Sequence, residues 1–181
     1  MIKLTSLSWA LPTVALSLLV ATVGWATPAA NPQQLQQLIN KRQCANCMLD
    51  GVSLYNYDLE GANLQGASLK EAALQGSVMT YANLSNSMLE KANLGLTNLQ
   101  FADLQGANLA GANLFGANLE GANLKGANLE GALLEGANLQ GADLTNANLQ
   151  KAIMLKAKMR NAVLEGAQMK GARMPDGKEV R

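Results

Sequence analysis

A five-residue period constrains this chain more than any other feature of its sequence. From Gly106 to Gln150 it reads GANLA GANLF GANLE GANLK GANLE GALLE GANLQ GADLT NANLQ. The same register places Leu or Met at every fifth position from Leu49 to Met174, which makes twenty-six consecutive repeats without an insertion. Two residues before each central residue stands a small or short residue, mostly Ala, with Cys47, Val52 and Tyr57 at the start. The pattern therefore predicts two inward positions in every repeat.

Neither an α-helix nor a straight strand accommodates this period. Residues five apart on a helix are rotated by about 140° net, so a column of Leu would spiral around it. On a strand, residues an odd number apart point to opposite faces. The backbone must therefore turn once per repeat, and the glycine that recurs two residues after the central residue suits such a corner. A chain that turns in the same way at each repeat winds into a solenoid.

The tandem A(N/D)LxG motif resembles the signature of the pentapeptide repeat family over Cys47 to Met174. The resemblance implies an all-β solenoid, a right-handed quadrilateral β-helix with four repeats per coil. It also implies that the central and small residues point inward and the other three residues outward. Twenty-six repeats would then form about six and a half coils in a rod about 31 Å long, at roughly 4.8 Å per coil. The Asn before each central residue is expected to stack in ladders or to close turns.

Residues 1–26 have the pattern of an export signal peptide. Lys3 is the only charge, Leu7 to Val23 is apolar, and Gly24-Trp25-Ala26 offers small residues for a peptidase. An uncleaved membrane anchor is the alternative, but the apolar run is short for the roughly 20 residues that span a bilayer, and Pro12 interrupts it. We expect cleavage after Ala26 and no membrane attachment afterwards. The expected location is the periplasm, or the thylakoid lumen if the source is photosynthetic.

Residues 27–46 are predicted to form a linker and a short helix that caps the first coil. Asn31 is the expected N-cap and Pro32 the first helical residue. The apolar side of this helix would consist of Leu35, Leu38 and Ile39. A solenoid end exposes strand edges and core, so a cap protects it against edge-to-edge association. Residues 175–181 begin with a turn signal and are expected to end the winding without a cap of comparable size.

Cys44 and Cys47 lie where the predicted helix meets the first coil. Two thiols in a chain without histidine supply only half of a tetrahedral metal shell, and a thioredoxin-like redox site needs a βαβ context. A structural disulfide fits an exported protein, although so short a loop contributes little unfolded-state entropy. The family resemblance also favours a disulfide, since a similar cysteine pair precedes the first repeat in bacterial members.

Charge and composition disfavour catalysis and nucleic-acid binding. No histidine is present, no nucleophile, base and orienting group occur together, and no glycine loop lies between a strand and a helix. No catalytic, cofactor or metal site is therefore predicted. Residues 50–143 contain ten acids and three bases, whereas residues 151–181 contain eight bases and three acids. A basic face with interleaved aromatic residues, as nucleic-acid binding requires, is not apparent.

Outward apolar residues concentrate on one predicted side of the solenoid, because residues twenty apart share a column. The candidate interaction residues on this side or its corner are Tyr55, Leu96, Phe115, Leu133, Ile153 and Leu155, and Tyr81 and Phe101 stack at a more distant corner. A contiguous apolar patch with aromatic residues is typical of a protein interface. The alternative is that these side chains only cover their own coils, in ladders worth fractions of a kcal/mol per pair.

The sequence thus predicts a non-catalytic exported scaffold that binds another protein or a second copy of itself. Some pentapeptide repeat proteins resemble B-form DNA and bind type II topoisomerases, which is the alternative that the resemblance implies. Cleavage after Ala26 would leave thirteen bases and thirteen acids. Both this neutral balance and the export signal oppose the alternative.

Overall fold

The structure is a computed structural model that describes residues 31–181. The predicted signal peptide and residues 27–30 lie outside the described residues. The helix α1, Pro32–Lys41, precedes a long series of turns and single-residue β-bridges. Within residues 31–181 no strand extends beyond one bridging residue on each side of a coil.

Parallel β-bridges join residues twenty positions apart along the whole repeat region. One column runs from Asn93 through Asn113, Leu133 and Ile153 to Arg173. A coil therefore contains twenty residues and four repeats. We number the four sides in chain order by their first bridging residues, which are Gln43 for the first side, Met48 for the second, Ser53 for the third and Asp58 for the fourth.

Backbone hydrogen bonds connect each coil to the next. Leu114 N–H donates to the carbonyl of Leu133 at 2.8 Å, and Leu133 N–H donates to the carbonyl of Ala112 at 2.9 Å. The corner residue adds a third bond, since Gly116 N–H donates to the carbonyl of Glu135 at 3.0 Å. The same three bonds recur in most repeats, so the backbone of every inner coil is paired on both edges.

Each side ends in a tight turn that explains the glycine of the motif. Ala117 N–H donates to the carbonyl of Leu114 at 3.0 Å, which closes a four-residue turn. The third residue of this turn, Gly116, has a φ of 61°. Positive φ is accessible to glycine at little cost and is required at this position of a type II turn. The once-per-repeat turn predicted from the period is therefore present.

The core consists of the two inward columns of each side. Leu49 to Met154 are fully buried at the central position, and Ala fills most of the small positions. Ser77, Ser87 and Thr97 replace Ala in the middle of the rod, and their hydroxyl groups donate to backbone carbonyls at 2.6 to 2.8 Å. This satisfies the buried polar groups.

Tyr57 departs from the predicted inward pattern. The sequence places it at a small inward position, but 39% of its surface is exposed. Its backbone keeps the register, because Val78 N–H donates to the carbonyl of Tyr57 at 2.9 Å. A Tyr side chain is too large for a space that Ala fills elsewhere, so the prediction that this side chain is inward is wrong.

The Asn residues before the central positions perform both of the predicted roles. The side-chain oxygen of Asn128 accepts a hydrogen bond from Glu130 N–H at 3.2 Å and thereby supports the corner. It also accepts from the side-chain amide of Asn148, one coil later, at 3.0 Å. The amide of Asn128 in turn donates to Asn108 at 3.0 Å. Asn128 thus stabilises its own turn and the contacts with both neighbouring coils, whereas Asn98 supports only its own turn.

The N-terminal end is covered by α1. The side chain of Asn31 accepts from Gln33 N–H at 3.0 Å, as an N-cap does, and Leu38 is fully buried against the core. The coil pattern begins four residues before the predicted start at Cys47, since Gln43 forms a bridge with Asn63. Cys44 therefore occupies a central position, where it is fully buried and donates its N–H to the carbonyl of Asn63.

The C-terminal end is only partly covered. Residues 175–181 turn back at Gly177, and Arg173 forms an antiparallel bridge with Glu179. Val180 pairs with Gly171 and Ala172 and packs against the core. The central residues Met159, Leu164 and Met169 are consequently half-buried rather than enclosed. The tail covers a single side, which agrees with the prediction that it is smaller than the N-terminal cap.

Candidate interaction surfaces

The described residues offer little for catalysis. No group of three or more acidic, Cys or His side chains within residues 31–181 could hold a metal ion. A shallow pocket of about 290 Å³ is lined by Glu120, Gln140, Gly141, Arg160 and Asn161. It brings together one acid and one base but no nucleophile.

The pKa of the Asp143 carboxyl lies below its usual value, chiefly because the Thr145 hydroxyl donates a hydrogen bond to it. The Thr145 backbone N–H and Lys125 act in the same direction. A lowered pKa keeps this group a carboxylate at neutral pH, so it cannot act there as a general acid. Its hydrogen bonds support the corner at Thr145, as the corresponding Asn bonds do elsewhere.

The third side brings together five of the predicted interaction residues. Leu133 and Ile153 form a parallel bridge with one another, and Leu155 follows two residues after Ile153. Phe115 lies one coil before Glu135 in the adjacent outward column. The exposed fractions are 52% for Phe115 and 43% for Leu133, while Ile153 and Leu155 are half-buried. We call Leu96, Phe115, Leu133, Ile153 and Leu155 the third-side patch.

Leu96 and Phe115 form the exposed centre of the third-side patch. Leu96 N–H donates to the carbonyl of Phe115 at 2.9 Å, which fixes their relative position. The Leu96 side chain lies over Gly116, since a Cβ atom on that glycine would be only 2.9 Å from Leu96 Cδ2. With 68% of its surface exposed, Leu96 presents most of its apolar area to solvent.

Tyr55 stands apart from the third-side patch. It shares a column with Phe115 but lies three coils earlier, with Gln75 and Gly95 between them. At about 4.8 Å per coil, the separation is roughly 14 Å. Tyr55 is 59% exposed on the first coil, close to the N-terminal end. The structure therefore does not join it to the other apolar residues.

Tyr81 and Phe101 form a separate aromatic pair at the corner after the fourth side. Their ring centroids are 5.4 Å apart and their planes differ by 13°, so the rings are stacked. Phe101 also lies over Gly121, where a Cβ atom would meet its ring at 2.6 Å. Both side chains remain more than half exposed.

Backbone conformation distinguishes Tyr81, Leu96 and Phe101 from the other exposed apolar residues. All three occupy the corner position, with φ values of 59°, 56° and 56°. Bulky side chains are uncommon at positive φ, but the corner imposes it on charged residues such as Glu71 and Lys91 as well, so it is a property of the coil. Replacement of the corner glycine was the sequence signal for this feature, because most corners in the regular stretch carry Gly.

Cys44 and Cys47 are bonded to each other in the structure, and both side chains are buried. Cys44 also contacts α1, because its sulfur lies 3.3 Å from the carbonyl oxygen of Gln34. Cys47 fills the small inward position that precedes Leu49. The disulfide therefore lies within the first coil and beneath α1, and it contacts the helix through the Cys44 sulfur without cross-linking the two elements.

Comparisons with known proteins identify the family of this chain. A family model described as pentapeptide repeats matches eight copies between residues 43 and 175. No curated protein sequence shows significant similarity. None of the helices within residues 31–181 is long and apolar enough to cross a membrane.

Several solved structures are similar to the chain. HetL, a pentapeptide repeat protein involved in heterocyst differentiation regulation from the cyanobacterium Nostoc sp. strain PCC 7120, is 34% identical over 76% of this chain and 74% of HetL, with a TM-score of 0.37. A pentapeptide repeat protein from the Arabidopsis thaliana thylakoid lumen is 37% identical over 50% of this chain and 59% of that protein, with a TM-score of 0.40. QnrB1, a plasmid-mediated fluoroquinolone resistance protein, is 19% identical over 71% of this chain and 65% of QnrB1, with a TM-score of 0.41.

The repeat match covers most of the chain, from residue 43 to residue 175. It agrees with the parallel bridges that join residues twenty positions apart. The family predicted from the A(N/D)LxG motif is therefore confirmed, and this chain belongs to the pentapeptide repeat family.

Proposed function

We propose that this protein is a non-catalytic exported scaffold. It binds a partner protein, or a second copy of itself, through the third-side patch. In this proposal residues 47–174 form a right-handed quadrilateral β-helix that holds the patch rigidly. Residues 1–26 direct export and are removed. The observation that carries the proposal is the exposed apolar cluster centred on Leu96 and Phe115.

The position of the cluster supports an interface more than mere coverage of the coil. Asn93 and Asn113 form a short Asn ladder on the third side, with a side-chain hydrogen bond of 3.2 Å. Leu133 and Ile153 then replace Asn at the next two positions, so the ladder is lost there. Leu133 and Ile153 cannot form the ladder hydrogen bonds and add exposed apolar area in their place. Such a surface is suited to burial by a partner.

The test uses a variant in which Phe115→Ser, Leu133→Asn and Ile153→Asn are combined. The matched control is Val78→Asn with Val163→Asn, which changes the same type of position on the fourth and first sides. Oligomeric state is measured by light scattering, and partners are recovered by pull-down from the exported fraction of the source cell. We expect the triple variant alone to lose self-association or its partner. Unchanged assembly and unchanged partners in a folded triple variant would contradict the proposal.

The competing function, binding of a type II topoisomerase, predicts a different result. Such binding by DNA resemblance requires an acidic rod, whereas residues 151–181 contain eight bases and three acids. The assay is DNA supercoiling by purified gyrase with the mature protein present. We expect no inhibition, and clear inhibition at low micromolar protein would replace the scaffold proposal.

A further inference from the structure

The fourth side of the last coil has backbone groups that its own chain does not pair. Within residues 31–181, the N–H groups of Met159 and Asn161 and the carbonyl of Ala157 have no hydrogen-bond partner. The equivalent groups one coil earlier are all bonded, since Leu139 and Gly141 donate to Lys158 and Arg160 at 2.8 and 2.9 Å. The folded-back tail pairs only with the third side, at Gly171 to Met174, and leaves the other three sides open; the N–H groups of Leu164 on the first side and Met169 on the second also have no partner among the described residues. The fourth side therefore retains a strand edge with the geometry of the internal ladder.

The core beneath this edge is also incompletely covered. Leu139, one coil earlier on the same side, is fully buried, whereas Met159 is half-buried. An added strand would place one inward side chain over Met159, in the same way that each central residue covers the one before it. Both the backbone and the core of this side are thus suited to one more strand.

Two basic side chains flank Met159. Lys158 and Arg160 both point outward and are exposed, and neither forms an ion pair with any described residue. Arg160 also lines the shallow pocket with Glu120, Gln140 and Asn161, but no ion pair joins it to Glu120. By contrast, Lys125, Lys151 and Lys156 each lie within 4 Å of a carboxylate. The edge therefore combines backbone donors with two positive charges that form no ion pair among the described residues.

A second copy of this chain does not fit the edge well. The opposite end of the rod is covered by α1, where Asn31 N–H donates to the carbonyl of Met48 and Leu38 is buried. A helix about 10 Å wide cannot enter the spacing of about 4.8 Å between coils, so head-to-tail stacking is blocked. Two C-terminal ends would bring Lys158 and Arg160 of each copy close to those of the other, which is unfavourable.

We propose that this edge, Ala157 to Asn161, binds an extended acidic segment of a partner protein as an added parallel strand. The segment has an acidic–apolar–acidic sequence. Its acidic residues lie over Lys158 and Arg160, and its apolar residue covers Met159. The carbonyls of the two acidic residues accept from Met159 and Asn161, and the N–H of the first donates to Ala157. This site uses none of the residues of the third-side patch, although Leu155 of that patch lies only two residues before Ala157.

The test measures binding of two blocked synthetic peptides to the purified ¹⁵N-labelled protein by NMR titration. One peptide contains Asp-Leu-Glu and the other contains Asn-Leu-Gln in the same flanking sequence. We expect the Asp-Leu-Glu peptide to shift the amide signals of Met159 and Asn161 first, and to bind about tenfold more tightly than the Asn-Leu-Gln peptide, because two ion pairs are lost. Equal affinity of the two peptides, or shifts located elsewhere, would overturn the proposal.

A protein variant tests the same site from the other side. Lys158→Glu with Arg160→Glu should abolish the preference for the acidic peptide. Lys170→Glu with Arg181→Glu makes the same change in net charge at the same end and should leave most of that preference in place. A preference lost equally in both variants would show only general charge attraction and would overturn the proposal. A second outcome would also overturn it. If the unmodified protein sediments as a dimer and the variant Lys158→Glu with Arg160→Glu sediments as a monomer, the edge binds a second copy.

Discussion

At the residue scale, one central side chain per repeat carries most of the core. Leu119 lies in the middle of the rod and is 1% exposed. Its neighbours in the column, Leu99 and Leu139, are completely buried. Each such side chain contributes roughly 1.5 to 3 kcal/mol through burial, and the enclosure leaves no route to solvent for a polar group.

Leu119→Lys should therefore unfold the protein, since the ammonium group would be buried without a partner. Gln105→Lys places the same side chain at an exposed outward position and should leave stability nearly unchanged. Circular dichroism and thermal melting measure both variants. Retention of the β-signature and melting temperature by Leu119→Lys would show that the register is incorrect.

Asp143 should make the free energy of unfolding depend on pH in the acid range. Its pKa in the folded state is lowered from 3.8, so the stabilisation is present above that value and is lost as pH falls through the folded pKa. Thr145→Val removes the hydroxyl that contributes most to the shift. We expect the pKa of Asp143, followed by carboxyl NMR titration, to rise towards its ordinary value. The acid-dependent loss of stability should become smaller, and an unmoved pKa would refute the assigned cause.

The inward positions of the repeats are the part of the structure that the sequence predicts best. The Leu and Ala columns follow from the period because every coil imposes the same space on them. Tyr57 does not point inward at its small position, because its side chain is larger than the available space. The positive φ of Leu96 could be inferred only from its corner position, since its residue type alone favours negative φ.

At the element scale, α1 and the first coil form a joint. Gln34 accepts from Met48 N–H at 2.7 Å through its side chain, and its backbone carbonyl contacts the Cys44 sulfur. Leu38 adds the apolar contact. These contacts hold a helix against the end of a solenoid, which would otherwise expose an edge.

Reduction of the Cys44–Cys47 bond should weaken this joint. For a loop this short, the chain-entropy estimate is about 2 kcal/mol at most. Mass spectrometry before and after reduction and alkylation tests whether the exported protein holds the bond, and denaturant unfolding of Cys44→Ala with Cys47→Ala measures its effect. Two free thiols in the native protein would contradict the disulfide.

The two ends differ in how far the sequence predicts them. The helix follows from Asn31, Pro32 and the spacing of Leu35, Leu38 and Ile39. The central position of Cys44 was hidden, because Cys there replaces the Leu or Met that marks every later repeat. The pairing of Val180 with Ala172 depends on a long-range contact that no local signal encodes.

At the scale of the whole molecule, each coil contacts only its neighbours, so the rod is close to one-dimensional. Its charge follows the same axis, with acids along residues 50–143 and bases along residues 151–181. The third-side patch ends at Leu155 and the C-terminal edge begins at Ala157, so the two surfaces lie on adjacent sides of the rod.

Export is the prediction that concerns the whole chain. We expect the mature protein to begin at Thr27, because the peptidase requires a small residue at Ala26. Ala26→Lys should leave the precursor uncleaved. The control Ala30→Lys lies beyond the site and should be cleaved normally. Intact mass of the protein from the exported fraction measures the N-terminus. A full-length mass for the unmodified chain in that fraction would refute cleavage.

The twenty-residue coil makes this protein sensitive to the length of an insertion or deletion rather than to its sequence alone. Loss of twenty residues, such as 106–125, would shorten the rod by one coil and leave every later column in phase. Loss of one repeat, such as 121–125, would preserve the core period but rotate everything downstream by a quarter turn. Leu133 and Ile153 would then move to a different side from Leu96. Gain or loss of repeats in multiples of four should therefore preserve the outer surface. Any other number should place the downstream outward residues on different sides.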